Sequence, residues 1–242
     1  MATPAGVPVG DVRLRQVVVA AHNGSEVIDQ LGTAFGLFCG YRDPAVAAFG
    51  LENHVFALGN QFLELVSPVT DTAPVWKFLH KIGRQAAGYM IVLQVGAVAP
   101  YRVRAEALDL PVVLDSDSET WSTLHLHPRA MGSLLSVDHD KRGDWVPAGP
   151  DWQERSGASA LAGIARVRIA TADPTAMASR WAAFLDLPSS AGATLQLSQG
   201  IIEFVPSTSR SDGLVGISLA MSGGARVGER STIAGTEFRI VT

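Results

Sequence analysis

The run FLELVSPVTDTAPVWKFLHKIG, residues 62–83, followed by GYMIVLQV, residues 88–95, decides how the chain folds. Gly59-Asn60 just upstream is a turn pair, and it predicts a hairpin between strands at 54–58 and 61–66. Pro68 ends the second strand. Residues 74–82 read as a short helix with Trp76, Leu79 and Ile82 apolar and Gly83 as its C-cap. A continuous apolar strand at 88–95 then begins a new unit.

Working outward, the same order recurs. Upstream, LRQVVVAA (14–21) is a buried strand, and Asn23-Gly24-Ser25 supplies a turn and helix N-cap before a stripe of Val27, Ile28, Leu31 and Phe35. Downstream, 100–110 carries Val103, Ala107 and Leu110 at helical spacing, and strands follow at 123–127 and 133–137. The C-terminal part repeats the pattern: a strand at 164–171, Asp173-Pro174 as N-cap and first helical residue, and the stripe Met177, Trp181 and Phe184. Strands at 193–197, 200–205, 214–220 and 235–241 complete it. The chain reads as four related units, the fourth shrunken, in a tandem βαβββ α+β architecture. The segment KRGDWVPAGPDWQERSG (141–157) is polar and rich in Pro and Gly. The expected organisation is therefore a paired-module domain at 11–140, a linker at 141–160 and a second, degenerate domain at 161–242.

The composition supports a packed globular chain of 242 residues, with 47% hydrophobic and 17% charged. With 19 Lys+Arg against 23 Asp+Glu and no basic block, a nucleic-acid partner is not expected. No apolar run approaches a bilayer span, and the N-terminal residues lack the pattern of a signal peptide, so no membrane partner is expected. A single cysteine, Cys39, makes the cytoplasm the expected location. There is no Walker loop, no G-x-S-x-G and no G-x-G-x-x-G after a strand, hence no nucleotide cofactor. SGGAR near Ser222 is a turn signal only. The acidic stretch DSDSE (115–119) reads as a loop that lacks the spacing of a calcium site.

Aligning the units places Gln16 opposite Arg166, Glu64 opposite Glu203, Met90 opposite Val215 and Ser136 opposite Arg239. Paired βαβββ units with a polar residue on the first strand and Glu on the fourth resemble the vicinal oxygen chelate superfamily. This superfamily includes glyoxalase I, methylmalonyl-CoA epimerase, extradiol dioxygenases and bleomycin-resistance proteins; residues 62–95 are most similar to the epimerase and glyoxalase-like branches. The resemblance implies modules paired into curled mixed sheets, two cups in one chain. It also implies a divalent metal (Zn, Ni, Co, Fe or Mn) held by one residue from each of four strands. On that pattern Gln16 and Glu64 match two ligands, while Met90 and Ser136 depart from the other two. His125 and His127, with His139 nearby, are the residues that could complete the shell, His125 and His127 through a shared strand face. Asn53, Tyr89, Met90 and Ser136 are expected to line a substrate pocket.

Each candidate also has a plain structural role: Gln16 as a satisfied core amide, Glu64 paired with an arginine, His127 as a strand terminator. Arg166 and Glu203 read as an ion pair in place of a ligand pair, which predicts a second cup without metal. Two functions stay open. One is a glyoxalase-like small-molecule enzyme, a lyase or isomerase moving a proton next to a carbonyl, with Glu64 as ligand or base. The other is a metal-free protein that sequesters a small molecule. The linker tryptophans, Trp145 and Trp152, leave docking of a partner or a homodimer open.

Overall fold

The computed structural model describes residues 8, 10–157, 159–188, 192–207, 212–221, 223, 224 and 226–242. Most of the N-terminal stretch behind the signal-peptide reading, and part of SGGAR, lie outside them.

The elements run β1 (Val12–Ala21), α1 (Gly24–Phe35), β2 (Leu51–Leu58), β3 (Gln61–Pro68), α2 (Pro74–Ile82) and β4 (Ala86–Val95). They continue through α3 (Ala99–Ala107), β5 (Val112–Asp117), β6 (Trp121–Leu126), α4 (Pro128–Met131), β7 (Leu134–Asp140) and α5 (Trp152–Gly157). The last third holds β8 (Leu161–Thr171), α6 (Pro174–Leu185), β9 (Thr194–Gln196), β10 (Ile201–Pro206), β11 (Gly213–Met221), β12 (Arg230–Ile233) and β13 (Thr236–Val241). Short 3-10 turns lie at Pro44–Phe49 and Val146–Ala148. The strands make two mixed sheets, of seven and six strands, as the paired-module reading expects.

Two compact units divide the chain. One comprises residues 16–89, 146–165 and 215–242. Its strands run β2-β3-β1, with β3 parallel to β1 and antiparallel to β2, and β12-β13-β11. Phe35 of α1 lies 5.6 Å from Phe238, and Arg226 donates to the Ala34 carbonyl at 2.7 Å. Residues 146–165 pack on the β2–β3 hairpin: Trp152 meets Phe62 edge-on at 5.2 Å, and Gln61 bonds Ile164 through both ends of its amide. Gly59 has φ +60, and a Cβ there would lie 2.1 Å from the Ala162 carbonyl, so this turn tolerates only glycine.

The other unit comprises the described part of 1–15 with residues 90–145 and 166–214. Its strands run β4-β7-β6-β5 and β8-β10-β9. Tyr101 of α3 packs on Phe184 at 5.6 Å, Arg104 donates to the Phe184 carbonyl at 2.7 Å, and the Trp181 indole donates to the Met131 carbonyl at 3.0 Å.

Several expectations are corrected. Residues 112–117 form strand β5, because their backbone pairs with β6 although almost every side chain is exposed and no periodicity marks them. Helix α3 buries Tyr101 and Ala105 and leaves Val103 67% exposed, a face rotated from the expected stripe. Helix α2 buries Val75 and Leu79, while Ile82 is exposed. Strand β12 is polar over its first three residues and buries only Ile233, a pattern that predicts no strand. Trp145 and Trp152 are buried, so neither indole is available for a partner.

Candidate functional site

Glu64 sits on β3 between Leu63 and Leu65, which are buried on the opposite face of the strand. Register fixes its neighbours: Val18 of β1 and Val55 of β2 lie opposite Glu64, with Gln16 and Asn53 two residues along their strands and so on the same face. Gln16 Nε2 donates to Glu64 Oε2 at 2.6 Å, and Asn53 Nδ2 donates to Oε1 at 2.6 Å. Gln16 and Glu64 therefore converge. Asn53 is in turn fixed by the Asp43 backbone N–H, which donates to its Oδ1 at 2.8 Å, and Asp43 caps the 3-10 turn that follows. All three side chains are buried.

Burial pushes the Glu64 carboxyl up to about 7; the bonds from Asn53 and Gln16 pull against this and Asp43 adds to it. No lysine or arginine pairs with Glu64 among the described residues, so its partners are carboxamides rather than the arginine considered above. Tyr89, packed on Phe78 at 5.1 Å, is pushed up to about 12 by burial and by the Glu64 charge, so its phenol keeps its proton.

A second polar cluster lies within the other unit. On β6 and β7, Thr123 pairs with Asp138 and His125 with Ser136, and on β4 Gln94 lies opposite Asp138. These five side chains share one face of the sheet. Ser136 and Thr123 both donate to Asp138 Oδ1, and burial pushes that carboxyl up to about 6 against their bonds. Burial pushes His125 down to about 4, which leaves a neutral imidazole at neutral pH. Gln94 Oε1 is buried with no donor among the described residues.

His127 lies beyond the end of β6 as the N-cap of α4, its Nδ1 accepting from the Arg129 N–H at 3.0 Å. His139 points to the face opposite Asp138. Met90 is half-buried on β4. Among the described residues no three His, Cys, Asp or Glu side chains gather in a metal-binding group. The donors that meet at Glu64 are one carboxylate and two carboxamides whose N–H groups occupy both its oxygens. As arranged, that set suits a proton better than a divalent cation, which wants several oxygen or imidazole ligands.

Asn53 as a direct partner of Glu64, and Asp138 with Thr123 and Gln94, were not read from the sequence as a site. Ser136-Val137-Asp138 does alternate in the way a strand face requires, which was the available signal. In the C-terminal part Arg166 meets Glu203 at 3.0 Å, half exposed, while Arg239 is exposed and sits opposite Arg230 in register.

In class this is an α+β protein with two mixed sheets and a buried carboxyl on a sheet face, an arrangement consistent with the paired-module fold expected from the sequence. No family model matches the chain, and no curated protein does. Among solved structures it is similar to a hypothetical protein from Staphylococcus aureus, 11% identical with a TM-score of 0.68 over 95% of this chain and 98% of that one. A variant of methylmalonyl-CoA epimerase from Streptomyces coelicolor, in complex with 2-nitronate-propionyl-CoA, matches at 14% identity and a TM-score of 0.47, over 57% of this chain and 99% of its own. The epimerase from Mycobacterium tuberculosis matches at 16% and 0.46, over 58% and 93%.

Proposed function

We propose that the chain is a small-molecule enzyme of isomerase type in which Glu64 moves a proton at a carbon next to a carbonyl. One observation supports this above the others: a buried carboxyl held between two amide donors and pushed up to about 7. A base in that range is half ionised at neutral pH, where a general acid–base group works best. In the step, the Glu64 carboxylate takes the proton from carbon and the C–H electron pair moves onto the carbonyl oxygen as an enolate. Return of the proton to the same carbon, as the electron pair falls back from the enolate oxygen, regenerates the carboxylate and the carbonyl. Gln16 and Asn53 aim the carboxylate, and the protonated Tyr89 phenol is the donor in the same unit suited to an enolate oxygen.

The test is loss of the α-proton signal of hydroxyacetone and of a malonyl thioester in D2O, followed by NMR. Wild type exchanges the proton, and Glu64→Gln slows exchange by about 10²–10⁴-fold. Equal exchange by both proteins would end the proposal. A sequestering protein is the second reading, favoured because both Glu64 oxygens already accept a bond; it predicts binding without exchange. Elemental analysis of wild type beside Glu64→Ala completes the comparison. Stoichiometric metal lost in the variant would replace the metal-free step with a metal-assisted one.

A further inference from the structure

A cavity of about 480 Å³ opens beside the α1 C-terminus, at a place unconnected with the reading of Glu64. It is walled by Phe35 and Phe38, by Phe56 of β2, and by Arg155 of α5 with Ser159 and Ala160, and Cys39 lies on its lining. Its volume falls in the range of small-molecule sites, about 300–1,000 Å³. One aromatic wall is buried and one is exposed. Phe56 is 2% exposed within the hairpin. Phe38, 63% exposed, lays its ring over α1 at Gly32, where a Cβ would come within 2.4 Å of the ring.

Arg155 is the one charged group in this wall. Its Nη atoms donate to the carbonyls of Ala148 and Pro150, and its guanidinium lies 5.6 Å from the Tyr41 ring centroid. Its Nε is buried without an acceptor, and no carboxylate pairs with it among the described residues. A fixed positive charge beside an aromatic hollow is complementary to an anion that carries an apolar body.

We propose that this cavity binds a small amphipathic carboxylate, its apolar body against Phe35, Phe38 and Phe56 and its carboxylate on Arg155. The probe is naphthalene-2-carboxylate, titrated calorimetrically into the full chain beside 2-naphthalenemethanol, which has the same body without the charge. Saturable one-to-one uptake of the acid is expected, at least tenfold tighter than the alcohol. Arg155→Gln brings the acid down to the level of the alcohol. Saturating acid slows alkylation of Cys39 by iodoacetamide at least fivefold, and Glu64→Gln leaves all of this unchanged. Equal affinity for acid and alcohol, or undiminished binding in Arg155→Gln, overturns the proposal.

Because Arg155 also ties two backbone carbonyls, its variant could fail to fold. Cys39→Trp, at an exposed wall position, then decides: it abolishes uptake if the cavity is the site, and unchanged uptake refutes it. Self-association lost in Phe38→Ser, with no uptake of the acid, would assign this face to a second copy of the chain and refute it equally.

Discussion

Glu64 is an acid raised from 4.5 to about 7, and the direction of that shift sets how stability runs with pH. Between those values the folded chain holds a proton that the unfolded chain releases. Stability therefore falls as pH rises through the window and levels off above about 7. The penalty at pH 8 has an upper bound of roughly 3 kcal/mol. Glu64→Gln removes the charge and keeps the shape, so urea unfolding at pH 8 should find it more stable than wild type by about 1–3 kcal/mol, with the gap closing near pH 4. A less stable variant at pH 8 would mean that the two amides favour the ion more than burial disfavours it. Asn53→Leu deletes one amide donor and should move the pH midpoint of proton exchange upward. The sequence made Gln16 and Glu64 legible because both stand out on apolar strands. It hid Asn53, since a hydrogen bond between residues two positions apart in register on paired strands depends on a pairing that no local pattern encodes.

At the scale of elements, strong periodicity was readable and weak periodicity was not. Helix α6, with Asp173 accepting from the Ala176 N–H at 2.9 Å, Pro174 at its start and Trp181 and Phe184 buried, follows its caps and stripe. Helix α3 carries Arg102 and Arg104 on two different sides, and its buried face is chosen by what it meets, the Phe184 ring, rather than by its own pattern. The two outcomes separate by mutation. Tyr101→Ala should cost about 3–5 kcal/mol in chemical unfolding, as large aromatic truncations in cores do. Val103→Lys, at an exposed site, should change stability by less than about 0.5 kcal/mol. Equal losses would restore the stripe read from spacing. Strand β5 makes the same point from the other side: backbone pairing at a sheet edge needs no apolar pattern, so a run of exposed acidic residues passed for a loop.

For the whole molecule, the order of elements was legible, while the contacts that build each compact unit were not. Each unit draws segments from both sides of the 141–157 stretch. In one, the α1 end is held by Arg226 and Phe238; in the other, Trp181 and Arg104 tie α6 to residues of 90–145. Such contacts join positions far apart in the chain, and sequence spacing carries no trace of them. A chain severed between residues 145 and 146 therefore leaves each fragment with exposed apolar surface at Phe35, Tyr101 and Trp181, groups that are buried in the intact protein. Burial of such side chains is worth about 1.5–3 kcal/mol each, comparable to the whole margin of a typical domain. Fragments 8–145 and 146–242, purified apart, should unfold at lower urea than the intact chain or fail to fold. Mixing them should restore a cooperative transition at increasing concentration. Two fragments that each unfold at the intact midpoint would show that the halves on either side of the cut are self-sufficient and that the contacts across it add nothing to stability.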